Sequence, residues 1–533
     1  MASEKEKYEA FSNIRNVLPD FDGKMWYQLS HLRMLSFMIF IIALTSTNNG
    51  YDGSMFNGLY ALKSFNNAIG NVNGAVLGAL TNGMNFGYFI AFFAAPWLVD
   101  NLGRKWSLHV SNIIMVCAVI IQSFSGAWIK SMPDDYTKKD IFGMLLGARI
   151  ILGFGAGIGA VAAPTLMSEI AYPTHREAST TFYNCCWYLG AVIASWVSYG
   201  CRNIDNDWNW RAVTVVQGFF PLLQSILIPF IVAESPRFLI SKGKLEEARQ
   251  ILEKYHGGGY PGADALIDYE MTEIRMAIMQ EKESMKTASY MDFIRTKANR
   301  KRLWLICWVS VFMQLSGNGL VSYYLAKVLD SIGITSVNEQ LVVNAGLMIY
   351  NLGIACIITF FIIPRIRRRL AFIVSSTGML FCFVLWTILS AINQERDFKD
   401  KSLAKGVLVM IFIFYLFYNL GLNGLPATYT TEILPYSLRA SGVNIYQIVQ
   451  QFASIYNGFV NSIAMEAIEW KYYIVYCCIL GVECVIIYFT FIETSGRTLE
   501  EVALVLGDGV VDLSDTTPPT VNNDSKPKVV ETA

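Results

Sequence analysis

The sequence predicts an all-α membrane protein with twelve transmembrane helices in two six-helix pseudo-repeats, joined by a cytoplasmic helical linker. Three observations predict this fold class. The 533 residues are 53% hydrophobic and only 16% charged, whereas a soluble protein has about 25% charged residues. Twelve apolar runs are long enough to cross a bilayer, and one polar segment divides them six and six. Motifs of the first half recur in the second half at a nearly constant offset.

The apolar runs predict helices because a span needs about 20 mostly apolar residues. Within lipid, only a helix or a closed barrel satisfies the hydrogen bonds of its own backbone. Several runs are interrupted by Gly, Asn or Gln. The twelve runs lie at approximately 34–57, 75–98, 107–128, 141–165, 178–200, 212–233, 303–329, 341–363, 370–391, 405–429, 440–463 and 472–492.

Polar segments divide the chain into domains. Residues 1–33 form an N-terminal segment without the apolar core of a cleaved signal peptide. Residues 234–302 form the linker, for which we expect short amphipathic helices around a glycine-rich turn. Residues 34–233 and 303–493 form the two six-helix halves, and residues 494–533 a tail predicted to be mostly disordered. Short-loop charges leave the orientation open, but Lys and Arg near the N-terminus and the linker flanks place both termini in the cytoplasm.

The repeat rests on three pairs of motifs. Glu169 precedes Arg176 by seven residues, and Glu432 precedes Arg439 by the same spacing, at an offset of 263. The other pairs are Gly103-Arg104-Lys105 with Arg367-Arg368-Arg369, offset 264, and Glu234-Ser235-Pro236-Arg237 with Glu493-Thr494 and Gly496-Arg497, offset 259. Duplicated halves of this kind usually bind substrate between them at the membrane midplane, and rock about that site.

Composition excludes several function classes. There are 42 basic and 42 acidic residues, so no basic excess favours nucleic acid. The ten Cys lie mostly inside apolar runs and the four His are scattered, so neither a disulfide framework nor a metal or cofactor site is predicted. With no nucleophile–base constellation, an enzyme is not expected.

One acid stands inside an apolar span. Asp52 lies in the first span, and Arg149 in the fourth is its natural partner. Because burying a carboxylate is costly, such an acid is a functional hypothesis by default. The alternative is a permanently paired, structural Asp.

The motifs, taken together and in order, carry a family resemblance. Over about residues 34 to 501 the sequence resembles the sugar porter branch of the major facilitator superfamily. The run from Ser316 to Tyr324 resembles the fungal branch that includes lactose and cellobiose permeases and hexose-transporting relatives. The motifs are Gly50-Tyr51-Asp52-Gly53; Asp100-x-x-Gly103-Arg104-Lys105; Arg149-x-x-x-Gly153-x-Gly155-x-Gly157; Pro164-x-x-x-Ser168-Glu169-Ile170 with Pro173 and Arg176; Trp210-Arg211 with Gln217; Glu234-Ser235-Pro236-Arg237; Gln314-Leu315-Ser316-Gly317; Pro426 with Glu432 and Arg439; and Glu493-Thr494-x-Gly496-Arg497.

The resemblance implies roles for these residues. In proton-coupled members, protonation of an acid such as Asp52 frees Arg149 and favours sugar binding. Facilitative yeast relatives share the motif, so uniport stays open. Neutral sugars require amides and aromatic faces, with interhelical hydrogen bonding as the alternative. The implied substrate-binding residues are Gln314, Asn318, Asn351, Asn184, Gln450, Gln451, Tyr323, Tyr324 and Asn423, with Gln447 close by.

Several positions depart from the family pattern. Met313, Gly319, Asn419 and Ala427 replace a Gln, an Asn, a Glu and a Trp. Loss of the Trp is expected to enlarge the pocket, which is compatible with a disaccharide, although a neighbour could refill the space.

The charged motifs resemble the salt bridges that close the family's cytoplasmic face between the halves. Ordinary headgroup-facing charges are the alternative, and for residues 365–369 a positive-inside signal explains the run equally well. The implied gate residues are Arg104, Glu169, Arg176, Glu234, Arg237, Glu432, Arg439, Glu493 and Arg497.

Together these observations predict a monomeric plasma-membrane transporter that moves a disaccharide of lactose or cellobiose type, or a hexose, with protons by alternating access. The expected partners are sugar, protons and the lipid bilayer, with no cofactor and no nucleic acid. The alternatives are a facilitative hexose uniporter and a non-transporting sugar sensor, although the sensors of this fold resemble transporters with longer tails than this one.

Overall fold

A computed structural model of the protein describes residues 18–19, 21, 24–126, 134–204, 206–260, 262–287, 290–363, 365–396, 401–495, 502 and 505–507. Every regular element within these residues is helical. Most of the tail predicted to be disordered, and most of the N-terminal segment, lie outside them.

The first half contains six long helices. They are α1 (Ser30–Ala61), α2 (Gly74–Leu102), α3 (Arg104–Ser123), α4 (Asp134–Ile170), α5 (Arg176–Cys201) and α6, whose two segments are Trp208–Gln217 and Phe219–Ile231. Two short helices, Lys63–Ala68 and Pro173–His175, lie in its loops.

The second half repeats this arrangement. Its helices are α7 (Lys297–Leu315 and Asn318–Asp330), α8 (Val337–Ile357, continued by a π-helical turn at Ile358–Ile362), α9 (Arg368–Glu395), α10 (Lys401–Tyr418, a π-helical turn at Asn419–Asn423, then Leu425–Ile433), α11 (Tyr436–Ile468) and α12 (Tyr472–Thr490). A 3₁₀ turn, Glu469–Lys471, joins the last two.

Ten of these helices are long and apolar enough to cross a membrane. The helices α5 and α11 do not reach that level of apolarity. Both are long, at 26 and 33 residues, but they carry amides such as Asn184, Gln447 and Gln450. The twelve-helix layout predicted from the sequence is therefore present, and its two least apolar members contribute Asn184, Gln447 and Gln450 to the central cavity described below.

Two helices of the second half are broken near mid-membrane. In α7 the break falls at Gly317, whose φ of +101° is readily adopted only by glycine. In α10 a π-helical turn precedes Pro426, which lacks a backbone N–H and so cannot complete a regular helix through this point.

The linker forms a small helical domain at one end of the molecule, called here the linker end. Its helices pack around a core of their own that includes Leu239, Leu252 and Ile267. Described parts of both terminal segments lie beside it: the ring of Phe21 contacts that of Tyr260, and Lys301 donates to the carbonyl oxygen of Leu506. Its helices are Pro236–Ser241, Leu245–Leu252, a π-helical turn at Glu253–Gly257, Ala263–Thr287 and Asp292–Arg295, with a short N-terminal turn at Trp26–Gln28.

The two halves meet tightly at the opposite end. The Asn57 amide nitrogen of α1 donates to the carbonyl oxygens of Val321 and Ser322 in α7, at 3.3 and 2.5 Å. The Asn57 side-chain oxygen accepts from the backbone N–H of Leu325 at 3.1 Å. One side chain thus binds three backbone groups of the other half and seals this end.

Candidate functional site

A two-lobed cavity lies between the halves. The first lobe has a volume of about 600 Å³ and the second about 820 Å³. Their walls reach Pro164 and Asn444 in the first lobe and Thr359 and Thr428 in the second, all near the linker-side ends of their helices, so the cavity opens toward the linker end. Residues shared by both lobes include Asn49, Gly53, Trp187, Gln314, Gln447 and Gln450.

The predicted carboxylate–guanidinium pair is in contact at the wall of the first lobe. Arg149 Nη1 lies 3.2 Å from Asp52 Oδ1, and the side chains are 4% and 2% exposed. The guanidinium also lies 3.9 Å from the ring centre of Phe56 and donates to the carbonyl oxygen of Thr81 at 3.4 Å. If the carboxylate is neutralised, Arg149 therefore retains its contacts with Phe56 and Thr81. An ion pair with a purely structural role would not require these additional contacts.

A third side chain completes this site and was missed as a functional residue. Gln217 of α6 is fully buried, and its Nε2 donates to Asp52 Oδ1 at 2.9 Å. Gln122 of α3 donates in turn to Gln217 Oε1 at 3.4 Å. The signal was available, because Gln217 belongs to one of the motifs that carry the resemblance.

The predicted sugar-binding amides divide between the lobes. Tyr324 does not join them: it is 1% exposed and donates to the carbonyl oxygen of Gly458 at 2.8 Å, so it belongs to the sealed end. The side chain of Tyr323 lies outside the described residues. Gln314 and Gln450 line both lobes, Gln451 the first, and Asn184, Asn318, Asn351 and Asn423 the second.

Two of these amides present unsatisfied polar atoms at the second lobe. Asn318 donates to the Tyr418 hydroxyl at 2.9 Å, but its own Oδ1 has no partner among the described residues. Asn351 accepts from Asn419 at 3.3 Å, while its Nδ2 has no described partner. Because an unpaired buried polar group is costly, this acceptor and this donor would each gain from a hydroxyl partner, but both atoms are buried here and reach a polyol in the lobe only if the wall moves.

Aromatic side chains form the rest of the second lobe. Trp187 of α5 lines both lobes, and Tyr415, Tyr418 and Tyr446 line the second. These residues were not predicted: the departure at Ala427 indicated a lost Trp, and sequence spacing does not show that α5 supplies one. The helices α1 and α5 approach each other closely at Trp187, because Gly50 has no side chain. A Cβ added to Gly50 would lie 1.8 Å from the backbone oxygen of Trp187.

The gate residues of the first half form a compact cluster around Arg104. Its Nε lies 3.1 Å from Glu169 Oε2, and its backbone N–H donates to Glu234 Oε1 at 3.0 Å. The backbone N–H of Lys105 also donates to Glu234, at 3.1 Å. Burial raises the pKa of the Glu234 carboxyl, although these backbone donors oppose the change.

The second half repeats the cluster around Arg368. Arg368 Nε lies 3.4 Å from Glu432 Oε1, and its backbone N–H donates to Glu493 Oε1 at 2.9 Å. The Arg369 N–H donates to Glu493 Oε2 at 3.2 Å. The repeat offset of 264 aligns Arg368 with Arg104. Arg368 was not predicted as a gate residue, because a positive-inside signal explains the run of residues 365–369 equally well.

The remaining gate residues contact the linker or lie outside the clusters. Arg176 lies 3.4 Å from Glu270, and Arg237 lies 2.9 Å from Glu281, both on the linker helix Ala263–Thr287. Each ion pair described here at the linker end therefore joins two residues of the same half, or joins a half to the linker. Arg439 lies in the first turn of α11, and Arg497 lies outside the described residues.

The sequence can now be compared with known proteins. A family described as "Sugar (and other) transporter" matches residues 38–506. The chain belongs to this sugar transporter family. It shares 26% identity over 462 residues with the MFS-type transporter oryC of Aspergillus oryzae, covering 85% of this chain and 81% of that protein. It shares 24% over 506 residues with the high-affinity glucose transporter of Kluyveromyces lactis, covering 92% and 88%.

Solved structures agree on the fold. The inward-open conformation of the xylose transporter XylE from E. coli matches with a TM-score of 0.72 at 19% identity, covering 88% of this chain and 99% of that one. The same transporter, described as a proton:xylose symporter bound to 6-bromo-6-deoxy-D-glucose, matches with a TM-score of 0.67 at 20% identity, covering 89% and 99%. The major facilitator fold and the multi-pass membrane placement are therefore confirmed, and these sugar transporter relatives are transporters rather than enzymes.

Proposed function

We propose that this sugar transporter is a sugar:proton symporter that works by alternating access. One observation carries the proposal. The buried Asp52–Arg149 pair lines the first lobe of the cavity, and that lobe shares Gln314 and Gln450 with the amide-lined second lobe. A proton site and a site for a neutral polyol are therefore parts of one continuous cavity.

The coupling follows from the contacts of Asp52. As a carboxylate it accepts from Arg149 and from Gln217. A proton on the carboxyl removes the charge that holds Arg149, whose remaining contacts are the Phe56 ring and the Thr81 carbonyl. Release of Arg149 changes the wall of the first lobe, and we infer that sugar binds better to the protonated form.

The cavity supports a hexose or a disaccharide of the lactose or cellobiose type as substrate. Each lobe lies within the range of about 300–1,000 Å³ that is usual for ligand sites. Two connected lobes offer room for two sugar rings, with the unsatisfied atoms of Asn318 and Asn351 at one end. The substrates named for two of the relatives, glucose and xylose, support a sugar without selecting one.

We place the linker end and both termini in the cytoplasm of a plasma-membrane monomer. The basic residues at the linker flanks support this orientation by the positive-inside rule. The cavity then opens to the cytoplasm, so the structure represents the state that releases sugar into the cell.

The decisive test is sugar uptake in a transport-deficient yeast that expresses the chain, with the external pH recorded. We expect labelled lactose, cellobiose or glucose to enter with alkalinisation of the medium. We expect Asp52→Asn to abolish accumulation above the external concentration, and the matched control Asp207→Asn, at an exposed loop acid, to retain it.

Each other outcome contradicts the proposal in a different way. Uptake without alkalinisation, which reaches but does not exceed the external concentration in the wild type and in Asp52→Asn alike, makes the protein a uniporter. Sugar-dependent signalling without uptake of any sugar makes it a sensor.

A further inference from the structure

Glu483 is a second buried acid within the spans, and the coupling scheme does not use it. It is fully buried in α12, a helix with no other charged residue. Its Oε2 lies 2.7 Å from the Ser316 hydroxyl, while its Oε1 has no partner among the described residues. No described basic side chain forms an ion pair with it. An intramembrane acid in this position is more costly than Asp52, which has a cation beside it.

The hydrogen atoms around Ser316 determine the protonation state of this acid. Ser316 Oγ lies 2.5 Å from the Phe312 carbonyl oxygen and 2.7 Å from Glu483 Oε2. A hydroxyl has only one hydrogen to donate. If that hydrogen goes to Phe312, the hydrogen between Ser316 and Glu483 belongs to the carboxyl. Both contacts are complete when Glu483 is a neutral acid that donates to Ser316.

The surroundings add no charge that would favour ionisation. On α12, Tyr476 lies near the same break in α7, and Cys484 follows Glu483. From α9, the buried Cys382 adjoins Phe383, the residue that packs on Gly317, and from α11, Tyr446 contacts Met313 of α7, one turn from the break. These groups are phenols and thiols, which are neutral near neutral pH.

The contact lies at the break of α7. Ser316 precedes Gly317, whose added Cβ would lie 2.5 Å from the Phe383 ring. Gln314 and Asn318 stand on either side of the break and line the cavity. The carboxyl–hydroxyl contact therefore connects α12 to the point that orients two cavity amides.

We propose that Glu483 is a second proton-binding site of this transporter, and that the proton bound there holds the broken α7 in the arrangement seen here. The carboxylate takes up one proton and donates it to Ser316 Oγ. When the proton leaves, the carboxylate competes for the only hydrogen of Ser316, and the bond to Phe312 is lost. Proton binding at Glu483 does not depend on the proposed function, whereas its effect on transport rests on it.

Infrared spectroscopy of the full-length protein in lipid vesicles tests the proton directly. We expect the carbonyl band of a protonated, buried acid at neutral pH in the wild type and in Asp52→Asn, and its loss in Glu483→Gln. Ser316→Ala should shift the frequency of that band, because the acid loses its acceptor. A band that persists in Glu483→Gln, or that disappears only in Asp52→Asn, overturns the proposal.

Exchange of labelled for unlabelled sugar across the vesicles tests the effect on transport. We expect rising pH to slow wild-type exchange by up to about tenfold per pH unit once the acid ionises, and Glu483→Gln to lose most of that dependence. Glu483→Asp should keep it. An unchanged pH slope in Glu483→Gln overturns the proposed effect. If the wild type exchanges no sugar, the proposed function fails, and the infrared result still decides the proton site.

Discussion

Trp187 joins the two lobes of the cavity and is the largest side chain shared by both. Its ring also closes against Gly53 of α1, where an added Cβ would lie 3.1 Å from it. An aromatic face in this place can cover the C–H surface of a sugar ring, which amides alone cannot do. The residue therefore supplies what the lost Trp of the family pattern, replaced here by Ala427, would otherwise provide.

We expect Trp187→Ala to raise the KM for sugar about tenfold, because an aromatic contact of this kind contributes about 0.5–1.5 kcal/mol beyond its area. Trp187→Phe should recover most of the affinity. Trp196→Ala, on the same helix but 48% exposed, is the matched control. The measurement is the concentration dependence of initial uptake. An unchanged KM in Trp187→Ala would show that the ring has no part in binding.

For single residues, the sequence predicted which types of side chain form the site better than it predicted which residues face the cavity. Asp52 and Arg149 could be paired in advance because each is a rare charge within an apolar span. The amides Gln314, Gln450 and Asn351 could be named from the positions they share with the family pattern, since many other amides also stand inside the spans. Trp187 could not, because aromatic residues are common in all membrane helices and only packing shows which ring faces the cavity.

Among the elements, α1 and α7 form the seal of the closed end through Asn57. Its three hydrogen bonds to backbone groups of α7 depend on the irregular course of that helix, where Tyr324 has φ −129° and ψ 24°. The apolar runs predicted both helices but not the hydrogen bonds between them. From the sequence alone, a buried Asn in a span is equally compatible with a hydrogen bond inside its own half.

We expect Asn57→Leu to weaken the seal and shift the protein toward the state open at the other end. Each buried group left unpaired costs about 1–3 kcal/mol, which corresponds to a change of roughly 5- to 150-fold in the equilibrium between the two states. Labelling of a cysteine at Ser322 from the side opposite the linker should become faster. Ser54→Ala, also buried in α1, is the control. Unchanged labelling would contradict this role of Asn57.

The linker helices dock on the first half through a buried cluster. Glu270 is 1% exposed and lies 2.6 Å from His256 Nδ1 and 3.4 Å from Arg176. The other ring nitrogen of His256 lies 3.0 Å from the carbonyl oxygen of Ile170, where α4 ends. Composition predicted a helical linker. A His and a Glu separated by 14 positions in the sequence gave no indication that His256 and Glu270 would be in contact.

We expect Glu270→Ala to loosen the linker, since it leaves the buried His256 Nδ1 without its partner, and an unpaired buried polar group costs about 1–3 kcal/mol. The matched control is Glu281→Ala on the same helix, whose pair with Arg237 is 43% and 34% exposed and should contribute about 0–1 kcal/mol. The measurement is amide hydrogen exchange of Ala263–Thr287. Equal protection in both variants would show that the cluster does not hold the linker.

For the whole molecule, the repeat proved the most informative feature of the sequence. The offset of 264 relates Arg104 to Arg368, and the two arginines make the same pair of contacts, one with a Glu side chain and one from the backbone to a second Glu. The sequence could not show how the halves are tilted, because one set of residues serves both the open and the closed states.

We expect Arg104→Ala and Arg368→Ala to reduce the maximal uptake rate by similar factors, because each removes the side-chain partner of one carboxylate, Glu169 or Glu432, at equivalent places. The substrate KM should change little in Arg104→Ala, because Arg104 is not among the residues that line either lobe, whereas Arg368 lines the second lobe and its removal can also change the KM. Arg365→Ala, whose side chain donates only to a carbonyl of its own helix, is the control. A loss confined to one half would contradict equivalent roles.

The Arg104 and Arg368 clusters have an electrical consequence. Because each pairs its charges within one half at the linker end, rocking of the halves moves each cluster as a unit and separates none of its paired charges. Moving one elementary charge through a potential of 100 mV changes the free energy by about 2.3 kcal/mol. Under symport, the membrane voltage then acts mainly on the proton that travels with the sugar, and the resting potential becomes a direct source of the accumulation gradient.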